Sequence, residues 1–395
     1  MNVNPLRLLP TLQAFILFFA STLMVQAAEI HWQGFVAQGL IQTSDDSFVA
    51  FDDDISTNLT ELGINSSIRL APAWRLAGQV MYLDGGNRYP QGARLDYLFV
   101  DWNFQSSLDW QANLYLGRIK NQHWLYSATR DVPFTRPSIV LPQSVYFDAF
   151  RDIAVNSDGL AIQSRHSNRY GDFTFNWSYG TSPISKQQHK LLLGGNVKGS
   201  TKLDFDHKAS LYWQPSLSRL TFGVSLLDSE FHFNREPTEV FRDANFQVQR
   251  VMLSMRYQQE LWDLALEIQQ ERLQIDGFFA PEFSQAQFAQ GGYLLMQYRP
   301  SSRWRLFGFV DYSVNNKDDR QGKSAEASTQ VPDYFAYQHT VASGFNYEFT
   351  PTLSLSAEVH WVKGVGRLSP AILPDIANNP AEYWQLYTLQ LMYRF

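Results

Sequence analysis

The sequence predicts an all-β chain, a transmembrane antiparallel up-and-down β-barrel of about sixteen strands. Three observations predict it. Apolar and polar residues alternate with period two in segment after segment, the connections between segments alternate short and long, and most tryptophans gather at the short-turn end of the segments.

Composition sets the outer bounds. Of 395 residues, 45% are hydrophobic, 18% charged and 15% aromatic, with a mean hydropathy of −0.27. Cysteine is absent, which excludes a disulfide framework, a thiolate metal site and a Cys nucleophile. Lys+Arg 32 against Asp+Glu 38 is interspersed, with no basic block to follow a phosphate backbone, so no nucleic-acid partner is expected. Eleven Trp, 19 Tyr and 29 Phe in a chain that is hydrophilic on average point to aromatic surface at a membrane–water boundary as well as in a core.

Residues 1–28 differ from the rest. Arg7 precedes an apolar stretch from Leu12 to Val25, and Val25-Gln26-Ala27-Ala28 offers small residues for cleavage, the pattern of a secretory signal peptide cut after Ala27 or Ala28. The alternative, a membrane anchor, fits less well because the stretch is short for a ~20-residue span and no basic stop follows it. Beyond Glu29 apolar runs last only a few residues, which excludes helical spans and leaves a soluble secreted protein or a barrel for residues 29–395.

Strands are expected at about 30–43, 57–70, 73–84, 92–104, 108–119, 151–165, 170–181, 204–213, 218–230, 244–258, 261–273, 287–299, 302–315, 335–349, 352–365 and 382–395. Phe173, Phe175, Trp177 and Tyr179 interleave with Asp172, Thr174, Asn176 and Ser178, so one face is aromatic and the other polar. Trp262, Leu264, Leu266 and Ile268 alternate with Asp263, Ala265, Glu267 and Gln269 in the same way. A soluble sandwich strand also alternates, and the layout decides between them. Every even link is a short turn, such as Ala71-Pro72 or Arg299-Pro300-Ser301-Ser302, and every odd link is a longer loop, with both ends of the barrel on the short-turn side. Trp32, Trp74, Trp102, Trp110, Trp213, Trp262 and Trp304 fall at the strand ends nearest the short turns, as an aromatic girdle requires.

The last run, Tyr383, Gln385, Tyr387, Leu389, Leu391, Tyr393 and Phe395, resembles the terminal strand of bacterial outer-membrane barrels. That resemblance implies that Phe395 belongs to the segment read by the barrel insertion machinery. In layout the whole of 29–395 resembles the sixteen-stranded diffusion porins and related porin-like proteins of Gram-negative bacteria. The resemblance implies residence in the cell outer membrane among lipid and lipopolysaccharide, a third long loop folded into the lumen, and a water-filled channel for passive diffusion of small hydrophilic solutes or ions, without enzymatic activity. The third loop, Lys120 to Phe150, is the longest connection, and its segment Thr129-Arg130-Asp131 to Arg151-Asp152 resembles a loop motif of proteobacterial porin-like proteins. The chain departs from the trimeric porins in lacking their acidic loop tip, so selectivity and assembly do not carry over. A homotrimer stays open, since a trimer interface and a lipid-facing wall are both apolar.

The expected constriction comprises Lys120, Tyr126, Arg130, Asp131, Arg136, Asp148, Arg151 and Asp152, with Pro133, Pro137 and Pro142 stiffening the path. Two compatible readings are open: the charges set up a transverse field, or Arg130, Asp131, Arg151 and Asp152 pair to pin the loop to the wall. On the predicted lumen wall the acids are Glu61, Asp109, Asp172, Asp263, Glu267, Glu271, Asp311, Glu348 and Glu358, and the bases Arg69, Arg75, Arg250, Arg256, Arg303, Arg305 and Arg394. Their balance leans towards cation preference. Asp45, Asp46, Asp52, Asp53 and Asp54 read as a solvated acidic loop rather than a cation site, the eight His are dispersed, and no metal or cofactor is expected. His166-Ser167-Asn168, in a predicted short turn, gives a barrel hydrolase little support. Channel, barrel hydrolase and plugged barrel are the three function classes, separated by conductance and turnover.

Overall fold

The computed structural model describes residues 30–44, 47–50, 53–368 and 381–395. The expected signal segment, and Asp45, Asp46 and Asp52 of the acidic loop, lie outside the described residues. The strands are β1 (Ile30–Ser44), β2 (Thr60–Ala71), β3 (Trp74–Asp84), β4 (Gly92–Ser106), β5 (Trp110–Lys120), β6 (Asn156–Asn168), β7 (Gly171–Thr181) and β8 (Gly199–Pro215). They continue as β9 (Leu220–Arg235), β10 (Ala244–Gln258), β11 (Trp262–Asp276), β12 (Ser284–Tyr298), β13 (Trp304–Val314), β14 (Tyr337–Thr350), β15 (Leu353–Lys363) and β16 (Tyr383–Arg394). Each pairs antiparallel with the next and β16 pairs with β1, which closes the barrel.

Period two sets which side chains face out. Leu253, Ile268, Leu294, Val310 and Val341 stay about half exposed on the outer wall, whereas Glu61, Asp263, Glu267, Asp311 and Glu358 are buried inside. The seven tryptophans of the expected girdle are 38% to 64% exposed on one rim, with Trp74 opposite Trp102 and stacked at 5.3 Å. A charge placed on this wall tests its orientation. Val310→Arg, at the middle of β13, is expected to destabilise the inserted barrel by about 2–4 kcal/mol, measured as the denaturant midpoint for refolding into vesicles.

Two boundaries differ from those the sequence suggests. Residues Arg151–Ala154 form a helical turn, α1, and β6 starts only at Asn156, because Arg151 turns inward to meet Asp131 and Glu61. The β8–β9 hairpin is longer than expected, paired as far as Gly199 and Arg235. Phe231 and Phe233 on its extension pack with Phe246, Phe278 and Leu203, an apolar cluster that holds the hairpin together beyond the rim. The helix α2 (Lys186–Leu193) joins it, capped where the Ser185 hydroxyl accepts from the Gln188 N–H at 3.0 Å. Asp109 and Arg303, expected on the lumen wall, lie in short turns instead, one residue outside β5 and β13.

At the seam the Phe395 N–H donates to Gly34 O at 3.0 Å and the Gly34 N–H donates to Phe395 O at 2.9 Å. Gly34 carries no side chain because the Phe395 ring occupies the place of a Cβ.

Candidate functional site

The long connection between β5 and β6, residues 121–155 and hereafter L3, folds into the lumen. Only Thr135 in it is exposed. An apolar part of L3, with Trp124, Tyr126, Leu141, Val145 and Tyr146, packs on Tyr293, Leu295, Phe307 and Phe309 of the far wall. Polar clamps do the rest, and they reach opposite sides of the barrel.

On the near side Glu61 of β2 accepts from Arg136 Nη1 at 2.9 Å, from Arg151 Nη2 at 3.4 Å and from Gln390 Nε2 at 3.2 Å. A second clamp depends on a bulge. The register of β3 with β4 skips from Tyr97 to Leu95, and the extra residue, Asp96, is fully buried and turned to the lumen. There it accepts from Lys120 Nζ at 2.5 Å and Gln79 Nε2 at 2.8 Å. Lys120 also donates to Asp131, which Arg151 holds from its other side at 2.7 Å. Asp148 receives Arg88 Nε at 2.7 Å and Arg130 Nη2 at 2.6 Å, and Asp152 pairs with Arg94.

On the far side Glu267 of β11 accepts four hydrogen bonds: from Tyr146 Oη at 2.5 Å, Tyr293 Oη at 2.7 Å, Ser254 Oγ at 2.9 Å and the Leu125 N–H at 3.0 Å. Asp311 of β13 accepts from the Ser144 N–H at 3.2 Å. Glu358 of β15 accepts from the Ile139 and Val140 N–H groups and contacts His360 Nε2 at 3.0 Å. L3 is therefore tied to β2 and β4 on one side and to β11, β13 and β15 on the other.

The remaining wall residues sit around this crossing. Arg75 pairs with Asp101 at 2.7 Å, Arg256 with Asp263 at 2.6 Å beneath the Tyr126 ring, and Arg250 with Glu271 at 2.9 Å beside the Trp124 ring. Arg305 lines a small cavity with Glu348 and Phe134, Arg69 is exposed opposite Arg75, and Arg394 donates to Pro351 O at 2.7 Å. His166 and Ser167 are successive residues of β6 and so face opposite sides of the sheet, and the Ser167 hydroxyl donates to Asp172 at 2.5 Å. They form no Ser–His pair. Sequence reasoning missed Arg88, Arg94, Asp96, Asp206 and Lys208. Arg94, Asp206 and Lys208 lay on expected strands, and their alternation placed them on a face without showing which strand would answer them.

Burial opposes ionisation of Asp131, but Lys120 and Arg151 overcome it and hold the carboxyl well below its ordinary 3.8. For Asp148 burial is likewise overcome, by Arg88, Arg130 and Arg151. His123 goes the opposite way: burial first, then Lys208 and Arg250, push the ring well below its ordinary 6.5 and keep it neutral. The carboxylates thus contribute fully above about 3.8 and their contribution is lost as pH falls through their lower docked values. For His123 the undocked ring takes up a proton below about 6.5 while the docked ring does not, so docking begins to weaken there. Acidification is expected to loosen L3 in two stages, read by protease access to residues 129–137, and His123→Gln should abolish the first stage alone.

No family model and no curated protein matches the sequence. Solved structures do. OmpT of Vibrio cholerae, expressed in the outer membrane, superposes with a TM-score of 0.57 at 10% identity, covering 94% of this chain and 99% of that one. The anion-selective porin of Comamonas acidovorans gives 0.59 at 11% identity, covering 93% and 100%. The outer-membrane channel DcaP of Acinetobacter baumannii gives 0.56 at 10% identity, covering 93% and 97%. The chain therefore has the closed antiparallel barrel fold of Gram-negative outer-membrane porins.

Proposed function

We propose that this protein is an outer-membrane porin through which small hydrophilic solutes or ions diffuse passively, with L3 as its constriction. The charged lumen carries this reading. A buried ion pair is rarely more stabilising than apolar packing of the same volume, so a barrel meant only to be filled gains little from the Glu61, Asp96, Asp131 and Asp148 clamps. The inner-wall charges that do meet water are others, such as Arg75 and Arg256, whose side chains stay 50% and 28% exposed beside their carboxylate partners. The fold shared with solved porins supports the reading, as do the apolar outer wall and the signal-like residues 1–28. Residence in the outer membrane, absence of enzymatic turnover and a homotrimeric assembly belong to the same proposal.

One observation favours a second reading, a barrel that L3 closes at rest. The cavities flanking L3 near Lys120 and near Arg250 hold about 50 and 60 Å³, room for a few waters. Planar-bilayer recording of the refolded mature chain across a salt gradient separates the two. Steady small steps with a defined reversal potential are expected for the porin; folded, inserted protein without current would move the conclusion to a closed barrel.

A further inference from the structure

On the long-loop side of L3 a cavity of about 60 Å³ lies between Trp124, Ser144, Lys208, Arg250, Gln269 and Arg367. Its lining carries more cations than carboxylates. Lys208 is paired with Asp206, whose carboxylate also accepts from Ser157 at 3.0 Å and Ser229 at 2.7 Å, and Arg250 is paired with Glu271. Arg367, from the loop after β15, has no carboxylate within ion-pair distance among the described residues. Its guanidinium lies over the Phe147 ring, 5.5 Å from the centroid, and its backbone N–H donates to Gln338 at 3.1 Å. Three cations therefore share the lining with two carboxylates, and a third carboxylate, Asp311 behind Ser144, acts on Arg367 from outside it.

The hydrogen-bonding groups are unbalanced in the same sense. Arg250 Nη1, Arg367 Nε and Trp124 Nε1 are buried N–H donors without a partner among the described residues, and Trp124 is only 5% exposed. Ser144 Oγ can turn to the unpartnered Asp311 Oδ1 beside it, and Gln269 Oε1 is the one unpartnered atom of the lining itself that only accepts. Water brings two hydrogens that need acceptors, and it satisfies such a set poorly. A small anion accepts from every side and satisfies the donors, and it sits in a lining where cations outnumber carboxylates. The volume has room for a few waters and so admits a small anion, and Phe147, Phe150 and Ile153 add apolar surface to the lining.

We propose that this cavity is a binding site for one small monovalent anion, held by Arg250, Arg367 and the Trp124 indole N–H. What it means for transport rests on the porin reading: an anion would pause here beside L3, against the cation preference that the summed wall charge suggests. Its occupancy does not rest on that reading. Arg250 and Glu271 keep 15% and 20% of their side chains exposed, so the site can be reached from the lumen.

The test is anomalous diffraction from crystals of the folded protein grown in sodium bromide. A bromide peak within hydrogen-bond reach of Arg250, Arg367 and Trp124 is expected, absent from Arg367→Gln and weakened in Trp124→Phe. No peak at a concentration that fills surface sites overturns the proposal, and so does a peak indifferent to Arg367→Gln, which marks an adventitious ion only. Because the readout is not current, the two readings fail separately. A peak in a protein that conducts nothing leaves the site and removes the porin; current without a peak does the reverse.

Discussion

Glu61→Gln is expected to release L3 from the β2 wall and to raise single-channel conductance, with frequent transitions between levels in place of one steady level. Glu61 is 1% exposed and answers two guanidiniums that are themselves 3% exposed. An amide at that position leaves Arg136 without a charged partner and removes one of the two carboxylates held by Arg151. Deleting one partner of a buried pair costs about 3–5 kcal/mol, because the remaining charge stays desolvated. The loss falls on the docking of L3 rather than on the barrel, whose backbone ladder from β1 to β3 is untouched. Bilayer recording checks the conductance and proteolysis at residues 129–137 checks the release. Conductance and cleavage identical to those of the unmodified chain would show that Glu61 does not hold the loop.

The largest loss of heat stability is expected from Glu267→Leu. Tyr146, Tyr293, Ser254 and the Leu125 N–H converge on one fully buried carboxylate. Leucine strands all four donors at once. Each stranded donor costs about 1–3 kcal/mol, with a sum smaller than simple addition because the tyrosines can turn. Glu267→Gln retains one acceptor oxygen and should fall between the two. The temperature at which the folded form is lost, followed by gel mobility, is expected to rank the unmodified chain above Glu267→Gln and that above Glu267→Leu.

The barrel was legible in the sequence because its determinants are local. A strand between lipid and lumen must alternate, as Phe173 to Tyr179 does, and a girdle must recur at one end of each hairpin, as the seven tryptophans do. L3 was legible as the longest loop, with its charged residues. Its partners were not. Glu61 could be placed on the inner face by parity, yet Arg136 lies 75 residues further on, and only the closed barrel brings them together. Arg130 and Asp152, expected to pair within a local set, instead meet Asp148 and Arg94, since a chain folded back across a lumen offers nearer charges than its sequence neighbours. Asp96 escaped for a different reason. A single extra residue reverses parity, and nothing in Arg94-Leu95-Asp96-Tyr97 announces the bulge.

The seam between β1 and β16 also bears on the order of events during assembly. Fourteen of the sixteen strands lie between its two partners, and each of those can pair as soon as its neighbour is made, as hairpins do. The bonds between Gly34 and Phe395 join the most distant residues of the ladder, so they carry the greatest loop-closure entropy and are the slowest to form. Until they do, β1 and β16 are two free edges with unpaired backbone groups, open to pairing with another chain. Closure is then a race between the two ends of one molecule and the ends of its neighbours, and dilution or a template that holds β16 in place favours the first.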